Sequence, residues 1–288
     1  VDMFFTAANG GNCVFGYIPM TGTQSTTASL TEVVGNGTTT QISLTGASSS
    51  SWPEFTVDYQ TGYFYAADEN LHKIFRLDTP NWGIGGSITK TVHAGSGSPA
   101  AVDATGTSAA FKNPNGVTYF RGAGLDGIFV ADSSNSLARF IDTATTDVNT
   151  AAGLAGNSGT VEGLGSVARL AAPLGAEHSV DLPAGGGNSE EHIVYFACLS
   201  GHNIARGAIV MNSGVPELDM TVHVGVGGSS GHTDGLPGTA KLYNPRSLVT
   251  TADSRIAFVC QNGQYSMRKV SGMWTRDVAS RTVSTITF

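Results

Sequence analysis

Charge is scarce in this chain. Asp, Glu, Lys and Arg make up 13% of its 288 residues, about half the share usual for a soluble domain. The 15 Lys and Arg stand against 22 Asp and Glu, a net charge of -7. No basic cluster exists; the densest stretch is Met267-Arg268-Lys269. A nucleic-acid partner is therefore disfavoured, because phosphate binding needs Lys and Arg to displace counterions. Apolar runs stay below about 18 residues, too short for a membrane-spanning helix. The composition lacks the Ala, Glu, Lys and Leu bias of long helices. Yet 40% of residues are hydrophobic, which argues against a disordered chain. Cysteine is rare and odd in number: Cys13, Cys198 and Cys260, with no C-x-x-C spacing. Cys198 and Cys260 lie in apolar runs and read as buried small hydrophobes, not as a disulfide framework. The start, VDMFFTAANGG, has neither a basic segment nor the apolar core of a signal peptide.

What the chain has in abundance is glycine, 38 residues, and repetition. Five segments superimpose: FFTAANGGNCVFGYI from 4, FYAADENLHKIFRLD from 64, IFVADSSNSLARFID from 128, VYFACLSGHNIARGAIV from 194 and IAFVCQNGQYSMRKV from 256. Their starts are 60, 64, 66 and 62 residues apart. Each holds an apolar run, a polar turn and an alternating run, the pattern of a β-hairpin. A proline and a short strand precede the last four, at 53–60, 114–120, 173–181 and 245–253. A further strand follows each hairpin, at 30–35, 90–95, 147–153, 220–225 and 282–288, and the first four of these end in Gly. Each unit thus has four strands, a to d. Linkers 102–114, 161–173 and 233–245 share a pattern of an acid, Gly or Ala, then small-x-Ala-x-apolar-x-x-Pro.

A four-stranded unit of about 60 residues cannot bury both faces alone, and stacking such units in a ring does so. The sequence therefore predicts an all-β fold, a β-propeller of five blades, as one domain over 1–288, with the chain starting inside blade 1. Six blades is the alternative if sequence is missing before residue 1. The repeats resemble the NHL-repeat family of propellers: Pro114, Gly116, Val117, Val130-Ala131-Asp132, Asn135, Arg139 and Ile141 fit its pattern. The Asp of that pattern is replaced by Asn9, Cys198 and Cys260 in the first, fourth and fifth units. The resemblance implies the fold; the family hosts unrelated functions.

Candidate sites follow from the ring. Asp103, Glu162 and Asp234 recur at one point of three linkers. They read as turn or cap residues, or as an acidic crescent for a cationic partner or Ca²⁺. Glu54, Glu177 and His178 fall on strands a, which line the channel, and are the acid–base candidates. His93 and His223 are assigned to strands d, at the outer edge, so a three-histidine Zn²⁺ site is not supported. Asp68, Asp132, Asn135 and Arg139 recur with the fold and read as structural. Trp82, in NWGIGG, is a candidate exposed anchor, and Asn36-Gly37-Thr38 is a glycosylation triplet if the chain is secreted. The expected function is non-enzymatic recognition of a protein, peptide or glycan by a monomer, at the face formed by linkers 96–113, 154–172 and 226–244. An extracellular or cell-surface setting is favoured, and no cofactor is expected. The alternative is a metal-dependent lyase or lactonase with its site at the channel mouth.

Overall fold

A computed structural model of the chain describes residues 3–9, 12–18, 42–43, 54–58, 60–78, 89–122, 124–181, 191–251, 255–261, 267–273 and 281–286. These form twenty strands in five antiparallel sheets. The first sheet holds β1 (Met3–Asn9), β2 (Asn12–Ile18) and β3 (Ile42–Ser43). The second holds β4 (Phe55–Val57), β5 (Phe64–Asp68), β6 (Lys73–Asp78) and β7 (Thr89–Ala94). The third holds β8 (Pro114–Gly122), β9 (Leu125–Asp132), β10 (Leu137–Asp142) and β11 (Val148–Ala152). The fourth begins with β12 (Gly163–Leu164), which pairs with the outer edge of β16. Its main strands are β13 (Pro173–Asp181), β14 (Glu191–Cys198), β15 (Asn203–Asn212) and β16 (Val215–Val224). The fifth holds β17 (Pro245–Thr250), β18 (Ile256–Gln261), β19 (Met267–Ser271) and β20 (Thr282–Ile286). The only helical elements among the described residues are single 3-10 turns, such as Gly106–Ser108 and Gly165–Val167.

Sheets two to five are meanders in the order a-b-c-d, as the repeats predict. Strand d of the first unit, expected at 30–35, lies outside the described residues, as do Trp52, Trp82 and Trp274; there β3 pairs with β2. Three of the inner strands carry a bulge just after the entrance proline, at Pro114/Val117, Pro173/Gly175 and Pro245/Ser247.

Side chains link successive inner strands. Thr56 Oγ1 accepts from Tyr119 N at 2.8 Å, and Thr118 Oγ1 from His178 N at 2.9 Å. Glu177 Oε1 accepts from Thr250 N at 3.1 Å. Inner strands β4, β8, β13 and β17 therefore stand side by side. The apolar clusters lie between sheets: Phe120, Phe129 and Phe140 meet Val194 and Phe196, while Tyr195 and Ile204 meet Val259 and Val270. Residues alternate along each strand, so both faces of a blade are buried. This explains the low charge, because few strand positions reach water.

The glycines that close strands d have a specific cause. Gly95, Gly153 and Gly225 have φ of 103°, 100° and 97°. A Cβ there would lie 2.6 Å from the carbonyl oxygen of His72, Ser136 or His202, respectively. Both facts demand glycine.

Candidate functional site

Three inner strands converge on Glu54, one residue before β4. Its carboxyl lies close to the Ser247 hydroxyl on β17 and the Ala176 N–H on β13, and both favour its charged form. Neither strand is the neighbour of β4, which is β8, so Glu54 crosses the axis of the ring. Burial pushes its pKa up to about 7 against the pull of these two groups, and the charge of Glu177 adds to the rise. Backbone packing is tight here. A Cβ on Gly116 would lie 2.2 Å from Leu174 O, and one on Gly175 would lie 2.8 Å from Arg246 O. Cys260 pairs with Ser247 across β17 and β18. It is exposed rather than a buried small hydrophobe, because side chains alternate along β18 and the buried ones are its neighbours Val259 and Gln261. Partial desolvation raises its thiol pKa, and Glu54 raises it further.

Glu177 takes another part. Its position on β13 matches Thr118 on β8, and it makes the same link to the next inner strand, also accepting from Thr250 Oγ1 at 3.0 Å. Burial raises its pKa against the Thr250 bonds. His178 faces the opposite neighbour. Its ring packs edge-on against Phe120, centroids 5.0 Å apart, and its Nε2 lies 3.4 Å from Nδ1 of His192. Burial, then the adjacent His192, depress its pKa to about 4. Glu54, Glu177 and His178 are thus not one constellation. Glu54 and Glu177 interact, while His178 points into the seam between β8 and β13.

His93 and His223 sit on strands d, but their side chains do not lie at an open edge. Both are buried, and their rings pack 4.9 Å from Tyr65 and 5.0 Å from Tyr195. Strand d places alternate residues between blades, which a reading of edge position alone missed. Burial depresses both, His93 to about 4. His72 and His202 have a different use: each Nδ1 accepts the N–H of the residue before the next entrance proline, Asn113 and Asn244. Among the described residues no group of three or more His, Cys, Asp or Glu could hold a metal ion.

The linker acids are engaged within the fold. Asp103 accepts from Thr150 N at 3.0 Å, Thr150 Oγ1 at 3.0 Å and Arg139 at 2.5 Å. Asp234 repeats this with Thr285 N at 3.1 Å, Thr285 Oγ1 at 2.9 Å and Arg268 at 2.6 Å. Glu162 accepts from Val222 N at 2.8 Å. Each acid thus ties a linker to strand d of the blade that follows. For Asp234 burial opposes, but the Thr285 and Arg268 bonds win and lower its pKa. Arg139, fully buried, also bonds Asp132 on β9 at 3.0 Å and the carbonyls of Ala110 and Val102.

These ties hold the linkers against the blades, and the linkers carry apolar side chains outward. Of eleven exposed large hydrophobic residues among those described, seven are on linkers: Val102, Leu154, Val161, Leu164, Val167, Leu236 and Tyr243. Val167 is 62% exposed. An aromatic group joins them. The His232 ring stacks on Tyr243 at 5.4 Å, and His202 approaches the other way at 6.2 Å. The linkers and the b–c turns share one end of the blades, because strand a starts opposite the end of strand b, as in Pro114 with Asp132. The apolar position of the shared linker pattern is a different one: Phe111, Leu170 and Leu242 fill it, and all three are buried.

Meandering four-stranded sheets packed face to face, with inner strands side by side, define a β-propeller. Comparisons with solved structures agree on this fold. An auxiliary nutrient-binding protein from Bacteroides ovatus ATCC 8483 matches over 99% of this chain and 69% of its own, at 15% identity and a TM-score of 0.53. A protein of unknown function from Bacteroides thetaiotaomicron VPI-5482 matches over 82% and 48%, at 13% identity and a TM-score of 0.51. The chain spans about half the length of the latter. No family model and no curated protein matches the chain. Among the described residues, no helix is long and apolar enough to cross a membrane.

Proposed function

We propose that the chain is an NHL-type propeller that recognises a protein, peptide or glycan through its linker face, in an extracellular or cell-surface setting. The observation behind this reading is the concentration of exposed apolar side chains on linkers 96–113, 154–172 and 226–244. Exposed apolar patches at this density mark interaction surfaces. The ties from Asp103, Glu162 and Asp234 pre-organise the face, which lowers the entropic cost of binding. The stacked His232 and Tyr243 offer a ring platform for a sugar or a peptide side chain.

A second reading has one observation in its favour. Glu54, with a pKa near 7 beside Ser247 and Cys260, is tuned as a general acid or base would be. Peptide and glycan arrays probed with the labelled protein separate the two. The recognition reading expects a ligand that is lost on changing Leu164, Val167, Leu236 and Tyr243 to Ser and kept in Glu54→Gln. Turnover of a bound ligand, abolished by Glu54→Gln, would favour the channel enzyme instead.

A further inference from the structure

Two histidines of the fourth sheet meet nitrogen to nitrogen. On β13 His178 pairs with Val194, and on β14 His192 pairs with Val180, so the two histidines are diagonal neighbours on one face of the sheet. Their ring centroids lie 5.6 Å apart, while His178 Nε2 and His192 Nδ1 lie 3.4 Å apart. The nitrogens therefore stand between the centroids and face each other. An N–H hydrogen bond is usually shorter, about 2.7–3.2 Å. Two nitrogens on one tetrahedral Zn²⁺, each about 2.0–2.1 Å from the ion, lie about 3.3–3.4 Å apart. The separation suits a shared metal ion better than a shared proton.

The surroundings hold the pair in this arrangement. Phe120, on β8 of the third sheet, packs edge-on against both rings, its centroid 5.0 Å from each. A Cβ on Gly122, at the end of β8, would lie 2.7 Å from both Cε1 and Nε2 of His192. Glycine there makes room for the second ring. Both histidines are only half-buried, so water reaches the pair. Neighbouring charges are engaged elsewhere. Glu191, beside His192, turns to the other face of the sheet and pairs with Arg206 at 3.0 Å. Arg121 on β8 is held by Gln60 and Asp126.

We propose that His178 and His192 form a two-histidine site for a divalent metal ion, Zn²⁺ or Cu²⁺, bound through His178 Nε2 and His192 Nδ1. Water completes the coordination, because no third His, Cys, Asp or Glu joins the pair among the described residues. Imidazole nitrogen suits both ions, and Cu²⁺ binds the tighter of the two. Ca²⁺ and Mg²⁺ take oxygen ligands and are excluded. The pair lies near the end of β13 opposite its entrance proline, away from the linkers. The inference therefore stands or falls separately from the recognition reading.

The test is a titration of the metal-stripped, ¹⁵N-labelled protein with ZnCl₂ at neutral pH, followed by NMR of the imidazole nitrogens. Saturable changes are expected at His178 Nε2 and His192 Nδ1, and none with MgCl₂. His178→Gln and His192→Gln should each weaken binding at least about tenfold. His232→Gln, on the linker face, should leave it unchanged. The imidazole signals of the unaltered protein decide the matter should either variant fail to fold. Absence of saturable changes up to about 1 mM Zn²⁺, changes at other histidines in place of these two, or undiminished binding in either variant would overturn the proposal.

Discussion

Arg139 and Asp132 meet at 3.0 Å with both side chains sealed from water. The pair sits between a hairpin and a linker, because Arg139 also holds the carbonyls of Ala110 and Val102. Asp132 accepts two more bonds, from Lys112 N at 2.7 Å and Asn135 Nδ2 at 2.8 Å. Arg139→Ala would strand a buried carboxylate, so a loss of about 3–5 kcal/mol is expected from urea unfolding. Arg268→Ala should cost less, because its strand-b partner is the neutral Gln261. Equal losses at the two sites would contradict the assignment of the difference to charge.

Glu54 gives the chain a measurable pH dependence. Its folded pKa, near 7, lies above the ordinary 4.5. The folded chain therefore holds a proton between those values that the unfolded chain has released. The resulting stability is fully present below pH 4.5 and is lost as pH rises through 7. Glu54→Gln should flatten this slope and stabilise the protein by about 1–2 kcal/mol at pH 8, a figure discounted for partial solvent screening. Thermal melts between pH 5 and 8 provide the comparison, and a carboxyl titrating near 4.5 by NMR would refute the account of its burial.

The buried histidines act in the opposite sense. His93 and His178 have folded pKa values near 4, below the ordinary 6.5. The unfolded chain takes up protons first as pH falls, so this stability is complete above pH 6.5 and is lost toward pH 4. His93→Phe keeps a ring against Tyr65 and should remove about 3 kcal/mol of that acid lability. An unchanged difference in unfolding free energy between pH 7 and pH 4 would count against it.

The inner strands tolerate no added atom at their entrance. Gly116→Ala places a methyl on Leu174 O and Ala176 N, at 2.2 and 2.5 Å. Destabilisation of about 2–4 kcal/mol is expected, at the upper range for overpacking because backbone must move. Gly124→Ala is the control for glycine loss alone, since nothing lies within 4 Å of a Cβ there. Its positive φ still costs something, and only an equal effect at the two sites would argue against close strand approach.

Much of the fold was legible because it is written locally. The entrance prolines at 114, 173 and 245 begin β8, β13 and β17, and the hairpins around Asp68 and Asp132 fall where turn chemistry puts them. The linker acids were legible as a recurring position, but not their partners. Arg139 lies 36 residues from Asp103, and only the meander of the blade brings β10 back beside the linker. Glu54 was found as a strand-a carboxylate, whereas its reach to Ser247 and Ala176 depends on how narrow the ring is at that level. His93 and His223 fall on strands d as the repeats place them, but edge position says nothing of which way a strand residue faces, and both are buried.

The central claim is that the linker face binds. Its most direct measurement is the dissociation constant of an array-identified ligand for two variants of matched stability. One changes Leu164, Val167, Leu236 and Tyr243 to Ser on the linker face; the other changes the exposed Val92 on β7 and Val249 on β17, outside the linkers, to Ser. The account predicts at least a hundredfold weakening in the first and none in the second. Equal affinity in both, or loss only in the second, would contradict it.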